Sequence, residues 1–78
     1  MRPLPVAVVQ LDTQDNPDEN REKAVAMVDE ASRRGAKLVV LPEAIVCLGD
    51  VQARKAVAEP LDGPTSKLLC GAAKRNGI

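Results

Sequence analysis

Four apolar residues in succession, Leu38-Val39-Val40-Leu41, run straight into Pro42 and then a carboxylate, Glu43. An apolar run without alternation, half of it β-branched, reads as a short strand buried on both faces, as in a parallel sheet between layers of helix. Pro42 ends the ladder, because it has no N–H to donate and holds Leu41 extended. Open parallel sheets place their chemistry just beyond the carboxyl ends of the strands, which is where Glu43 falls. Position alone leaves two readings open, a functional carboxylate and a solvated strand end.

A second run, Val6-Ala7-Val8-Val9-Gln10-Leu11, precedes it and also lacks alternation, so it too is expected as a strand buried on both faces. Between the two lies a helix signature. Asn16 stands as N-cap with Pro17 at the first helical position, and Glu19 is placed to complete a capping box. Ala24, Val25, Val28, Ala31 and Ser32 recur on one face, with Met27 at its margin. Acidic residues crowd the first turns, Arg33 and Arg34 the last, and Gly35 supplies a left-handed stop. The spacing predicts a helix from about Pro17 to Arg34, with its charged residues forming a solvated face. Strand, capped helix, glycine and strand make a βαβ unit with parallel strands.

Downstream, Asp50 is placed to cap a short helix over Val51–Ala58, and Pro60, Gly63 and Pro64 break it. A further helix begins near Pro64, with Asp62 or Gly63 at its cap. It is expected to bury Leu68, Leu69, Ala72 and Ala73 and to stop at Asn76-Gly77. Ile78 then reads as the first residue of a third strand. Two strands and their helices cannot cover both faces of a sheet, so residues 1–78 are read as the first part of one larger α/β domain. Taken alone, the chain is expected to be partly folded and to associate.

Composition removes several function classes. Eleven basic residues balance eleven acidic ones, giving no electrostatic case for nucleic acid or an anionic membrane as partner. The chain has no His, and Cys47 and Cys70 form no zinc pattern, so neither metal nor cofactor is expected. No apolar stretch reaches the length of a membrane span and no export signal is evident, which points to a cytoplasmic protein with two reduced thiols. The turn after the first strand lacks the glycine patterns of nucleotide-binding loops. Its Asp12, Asp15, Asp18 and Glu19 would repel a phosphate at the helix N-terminus. A catalytic thiol needs a partner that holds it as thiolate. With no His to do so, Cys47 and Cys70 are read as small buried hydrophobes.

Three segments taken together resemble the start of the nitrilase superfamily of carbon–nitrogen hydrolases. They are Val6–Leu11, the Asn16-Pro17 helix start, and Gly35-Ala36-Lys37-Leu38-Val39-Val40-Leu41-Pro42-Glu43. The later runs Ala58–Pro64 and Ala73–Ile78 extend the likeness along nearly the whole chain. The resemblance implies the N-terminal βαβ(α) portion of an α-β-β-α sandwich and a Glu-Lys-Cys catalytic set acting on an amide or nitrile. Of that set only the glutamate has a counterpart here, Glu43. The family's lysine and nucleophilic cysteine belong to sequence beyond Ile78, and neither Cys47 nor Cys70 matches the nucleophile motif. Ala44-Ile45 stands where the family usually carries an aromatic, which changes the expected pocket shape. Leu48-Gly49-Asp50 and Ala58-Glu59-Pro60 lean toward the branch of omega-amidase-like and deaminated-glutathione-amidase-like proteins. A full-length protein of this kind is expected to be a homo-oligomer, and this chain alone inactive. Two other readings stay open. One is an inactive fragment or degenerate copy serving as a folding or interaction piece. The other is a receiver-like phosphoacceptor with a magnesium site built on Asp12.

Overall fold

The computed structural model describes residues 2–78, in the order β1 (Val6–Val8), α1 (Pro17–Arg33), β2 (Leu38–Val40), α2 (Val51–Ala56) and α3 (Pro64–Asn76). The strands pair in parallel, with Val6 opposite Leu38, Ala7 opposite Val39 and Val8 opposite Val40. Flanking bonds from Lys37 N–H to Pro5 O and from Val9 N–H to Val40 O, each 2.9 Å, extend the ladder at both ends. It stops well short of Leu11, because in this register Gln10 falls opposite Pro42, which has no N–H to give.

Helix α1 begins as its capping residues require. The Asn16 side chain accepts the Glu19 N–H at 3.2 Å, and Pro17 opens the first turn. Among the described residues Glu19 does not return the bond, so only half of the capping box forms. The two long helices end alike. Gly35 N–H bonds Ser32 O and Ala36 N–H bonds Ala31 O; Gly77 N–H bonds Lys74 O and Ile78 N–H bonds Ala73 O. This paired closure of the last turn places a positive φ on its glycine, +96° at Gly35 and +67° at Gly77. Helix α2 ends at Ala56, shorter than expected, with Asp50 Oδ1 capping Ala53 N–H.

The expectation of strands buried on both faces is corrected. Val6, Val8, Leu38 and Val40 share one face of the sheet and lie open, while Ala7 and Val39 are half-buried and Val9 is buried on the other. The helices cover only that second face. There a groove of about 320 Å³ runs between Val39 and Leu41, Val28 of α1, and Leu69, Ala73 and Ile78 beside α3. Ala24, Val28 and Ala31 of α1 and Ala72 of α3 are buried where the helices meet the core. Asp29 ties the helix ends together by accepting from Arg75 Nη2 at 2.8 Å and Asn76 Nδ2 at 2.7 Å.

Two burial expectations for α3 also fail. Leu68 is 46% exposed and Cys70 is exposed. A helix advances about 100° per residue, so turning Leu69, Ala72 and Ala73 inward swings their neighbours Leu68 and Cys70 outward. Cys47, by contrast, is buried; both thiols are free.

Candidate functional site

The carboxyl ends of β1 and β2 point the same way, so the loops that follow them, residues 9–16 and 41–50, lie side by side. Glu43 stands in the second loop, exposed, directly after Pro42. It borders two clefts. The smaller, about 190 Å³, is shared with Gln10, Leu11, Asp12 and Thr13 of the first loop. The larger, about 540 Å³, runs from Glu43 and Ala44 past Cys47 to Arg54 and Glu59. Among the described residues Glu43 makes no ion pair, so its carboxylate is not committed to a structural partner. Ala44 beside it has φ +55°, a left-handed conformation that costs a residue with a Cβ about 1–2 kcal/mol. The surroundings must hold that turn, and it turns the chain sharply just after the carboxylate.

Behind the loops sits a residue the sequence reading overlooked. Asn20 of α1 is 1% exposed, and it is the buried polar side chain among the described residues. Its Nδ2 donates to Val46 O at 2.6 Å and to Gln14 O at 2.8 Å, while its Oδ1 accepts from Gln14 N–H at 3.0 Å. Gln14 O also accepts the Leu48 N–H at 3.3 Å. A signal for this was present. Asn20 lies one turn before Ala24 and two before Val28, so it continues the buried stripe backwards, and a polar residue on such a stripe needs partners.

The far wall of the larger cleft rests on a second overlooked cluster. Glu59 accepts from Thr65 Oγ1 at 2.5 Å, Thr65 N–H at 2.7 Å and Arg21 Nη2 at 2.9 Å. Arg21 Nε also donates to Thr65 Oγ1 at 2.8 Å. The Thr65 hydroxyl, then its N–H, then Arg21 hold the Glu59 carboxyl down at about 2, from an ordinary 4.5. Arg21 is correspondingly raised, chiefly by its hydrogen bond to Glu59. With only 16% of its side chain exposed, Arg21 is also a correction to the expected solvated face of α1. The chain closes tightly here: a Cβ on Gly63 would meet Glu59 Oε1 at 2.9 Å and Pro60 O at 3.0 Å.

Asp12 stands in the smaller cleft with Glu43 and accepts from Gln14 Nε2 at 2.6 Å. Among the described residues no cluster of three metal-ligating side chains forms there or elsewhere. Cys47 lies within the wall of the larger cleft, packed beneath Gly49, whose position leaves only 3.4 Å between an added Cβ and Cys47 Sγ. No helix among the described residues is long and apolar enough to cross a membrane.

A parallel βαβ unit with helices packed on one face of its sheet, and an exposed carboxylate just after its second strand, defines the class as an α/β protein. Residues 5–78 match the sequence model of the carbon–nitrogen hydrolase family, and the chain belongs to that family, corresponding to the N-terminal portion of the nitrilase superfamily. It is 42% identical over 72 residues to "Nitrilase homolog 2" of Dictyostelium discoideum, covering 92% of this chain and 22% of that protein. It is 37% identical over 78 residues to "Nitrilase" of Pyrococcus abyssi, covering 94% of this chain and 30% of that protein. To "Deaminated glutathione amidase" of Synechocystis it is 35% identical over 75 residues, covering 96% of this chain and 28% of that protein. The chain thus spans less than a third of the length of these relatives. No solved structure matches it.

Proposed function

We propose that this chain supplies the general base, Glu43, of a hydrolase that cleaves a small amide or nitrile through a cysteine thioester. The observation that carries the reading is the position of Glu43: exposed, without an ion pair among the described residues, after the carboxyl end of β2, and bordering two clefts. The βαβ(α) unit is then part of a single α-β-β-α sandwich domain, whose lysine and cysteine come from sequence beyond residue 78. On an amide, Glu43 takes the thiol proton as sulfur attacks the carbonyl carbon, and the lysine steadies the oxyanion. The proton passes to the departing amine as the C–N bond breaks, leaving a thioester. Glu43 then takes a proton from water, whose oxygen attacks the thioester, and the thiol and carboxylic acid are released.

The short span against its relatives favours reading residues 1–78 alone as inactive, since the members of such a set act as a unit. Likeness both to a deaminated glutathione amidase and to a nitrilase supports a small amide or a nitrile as the substrate class. We take the full-length protein to be a cytoplasmic homo-oligomer without a cofactor. The test is Glu43→Gln in the full-length protein, which keeps size and packing but removes the proton acceptor. Turnover of small amides should fall by about 10²–10⁴-fold. Unchanged turnover would return Glu43 to a solvated strand end, and thiol-dependent hydrolysis by the 78-residue chain that vanishes in Cys47→Ala would move the chemistry elsewhere.

A further inference from the structure

We infer that Asn20 is a positioning residue for Glu43, an amide clamp that holds the two strand-end loops in the geometry the base needs. The inference rests on the reading of Glu43 as general base. Nothing about α1 itself calls for a polar side chain here: Asn is a poorer helix former than Ala, and burying an amide costs free energy unless its bonds are made. Asn20 makes them outside its own helix, to Gln14 in the loop after β1 and to Val46, three residues beyond Glu43. Because Gln14 O also receives the Leu48 N–H, both loops are joined on either side of one 1%-exposed side chain. Between this clamp and the strand end lies Ala44 at φ +55°, a turn its own residue type does not favour. Glu43 is therefore held from two directions, by the β2 ladder before it and by the Asn20 amide behind Val46. Releasing the second hold would let the loop relax and displace the carboxylate without touching it.

The test is a double-mutant cycle in the full-length hydrolase: the parent, Asn20→Asp, Glu43→Gln and the pair. Asn20→Asp keeps the shape and the acceptor for Gln14 N–H but loses the Nδ2 donor to Val46 O and Gln14 O. A misplacement of about 1 Å costs about 10²-fold, so Asn20→Asp should lower kcat by about that factor while KM moves by less than about threefold. In the Glu43→Gln background the same change should cost almost nothing further, because residues acting through one another are not additive. A folded Asn20→Asp enzyme with parental kcat, or losses that multiply in the pair, would overturn the inference while leaving the role of Glu43 intact. Normal turnover by Glu43→Gln alone would remove both. If the buried charge of Asn20→Asp prevents folding, Asn20→Ser, which is neutral and too short to reach Val46 O, is run through the same cycle with the same expected and overturning results.

Discussion

Glu59 keeps its charge inside a set of donors, two from Thr65 and one from Arg21, and this fixes how it responds to pH. Its carboxyl is depressed to about 2 from 4.5, so its contribution to stability is complete above about 4.5 and disappears as pH falls through about 2. Urea midpoints of the folded protein measured from pH 7 to 2 should therefore drop across that window. Glu59→Gln should begin lower at pH 7 and show a flatter decline. Parallel curves for the two proteins would mean the cluster contributes nothing. Charge patterning gives α1 a solvated face, and charge alone does not reveal that Arg21 packs against a loop 38 residues further on. Glu43 is legible as a candidate in the sequence, since proline followed by a carboxylate at the end of an apolar run is local information. Asn20 was readable only in part: its place on the stripe was visible, but its partners Gln14 and Val46 were not.

At the scale of elements, the helices were the more legible because their ends are encoded by adjacent residues. Asn16-Pro17 starts α1 and Gly35 ends it; Gly63-Pro64 starts α3 and Gly77 ends it. Gly35 gives a clean measurement of how much such a stop matters. An added Cβ there meets nothing within 4 Å, yet φ is +96°, so the cost of Gly35→Ala is backbone strain alone. It should destabilise the folded protein by about 1–2 kcal/mol in denaturant melts, with no change in the slope of the transition. A neutral result would show that the turn after α1 is not held in the left-handed region. Strands are less local. The apolar runs marked where β1 and β2 lie, but their lengths were set by each other, and the register brings Gln10 opposite Pro42 and ends the pairing.

The whole molecule is extended for its length, 46 × 23 × 21 Å with a radius of gyration of 13.3 Å, against about 11.5 Å for a compact chain of this size. Among the described residues the buried apolar ones are Val9, Val28, Cys47 and four alanines, a thin core. Val8, 82% exposed, and Val40, 46% exposed, sit opposite one another at the carboxyl end of the ladder, on a bare aliphatic sheet face. Residues 1–78 alone should therefore self-associate, with sedimentation depending on concentration and far-ultraviolet dichroism showing partial helix; with no Tyr or Trp, fluorescence cannot follow the folding. Val8→Lys with Val40→Lys should shift the population toward monomer. A strictly monomeric parent chain with one sharp melt would overturn this expectation.

Taken alone, the amino-acid order determined whatever depends on neighbours a few residues apart. It specified the two helix starts and their glycine stops, the two apolar runs, the proline that ends the second, and the carboxylate beyond it. Dihedral preference, capping and periodicity act over a single turn or a few strand residues, so they can be read directly. Only the tertiary structure decided which face of the sheet the helices cover and that Leu68 and Cys70 turn outward. It alone placed the Arg21–Glu59–Thr65 cluster and the reach of Asn20 to both loops. The contacts of Asn20 with Val46 and of Arg21 with Glu59 and Thr65 join groups 26 to 44 residues apart, and no local preference encodes such a distance.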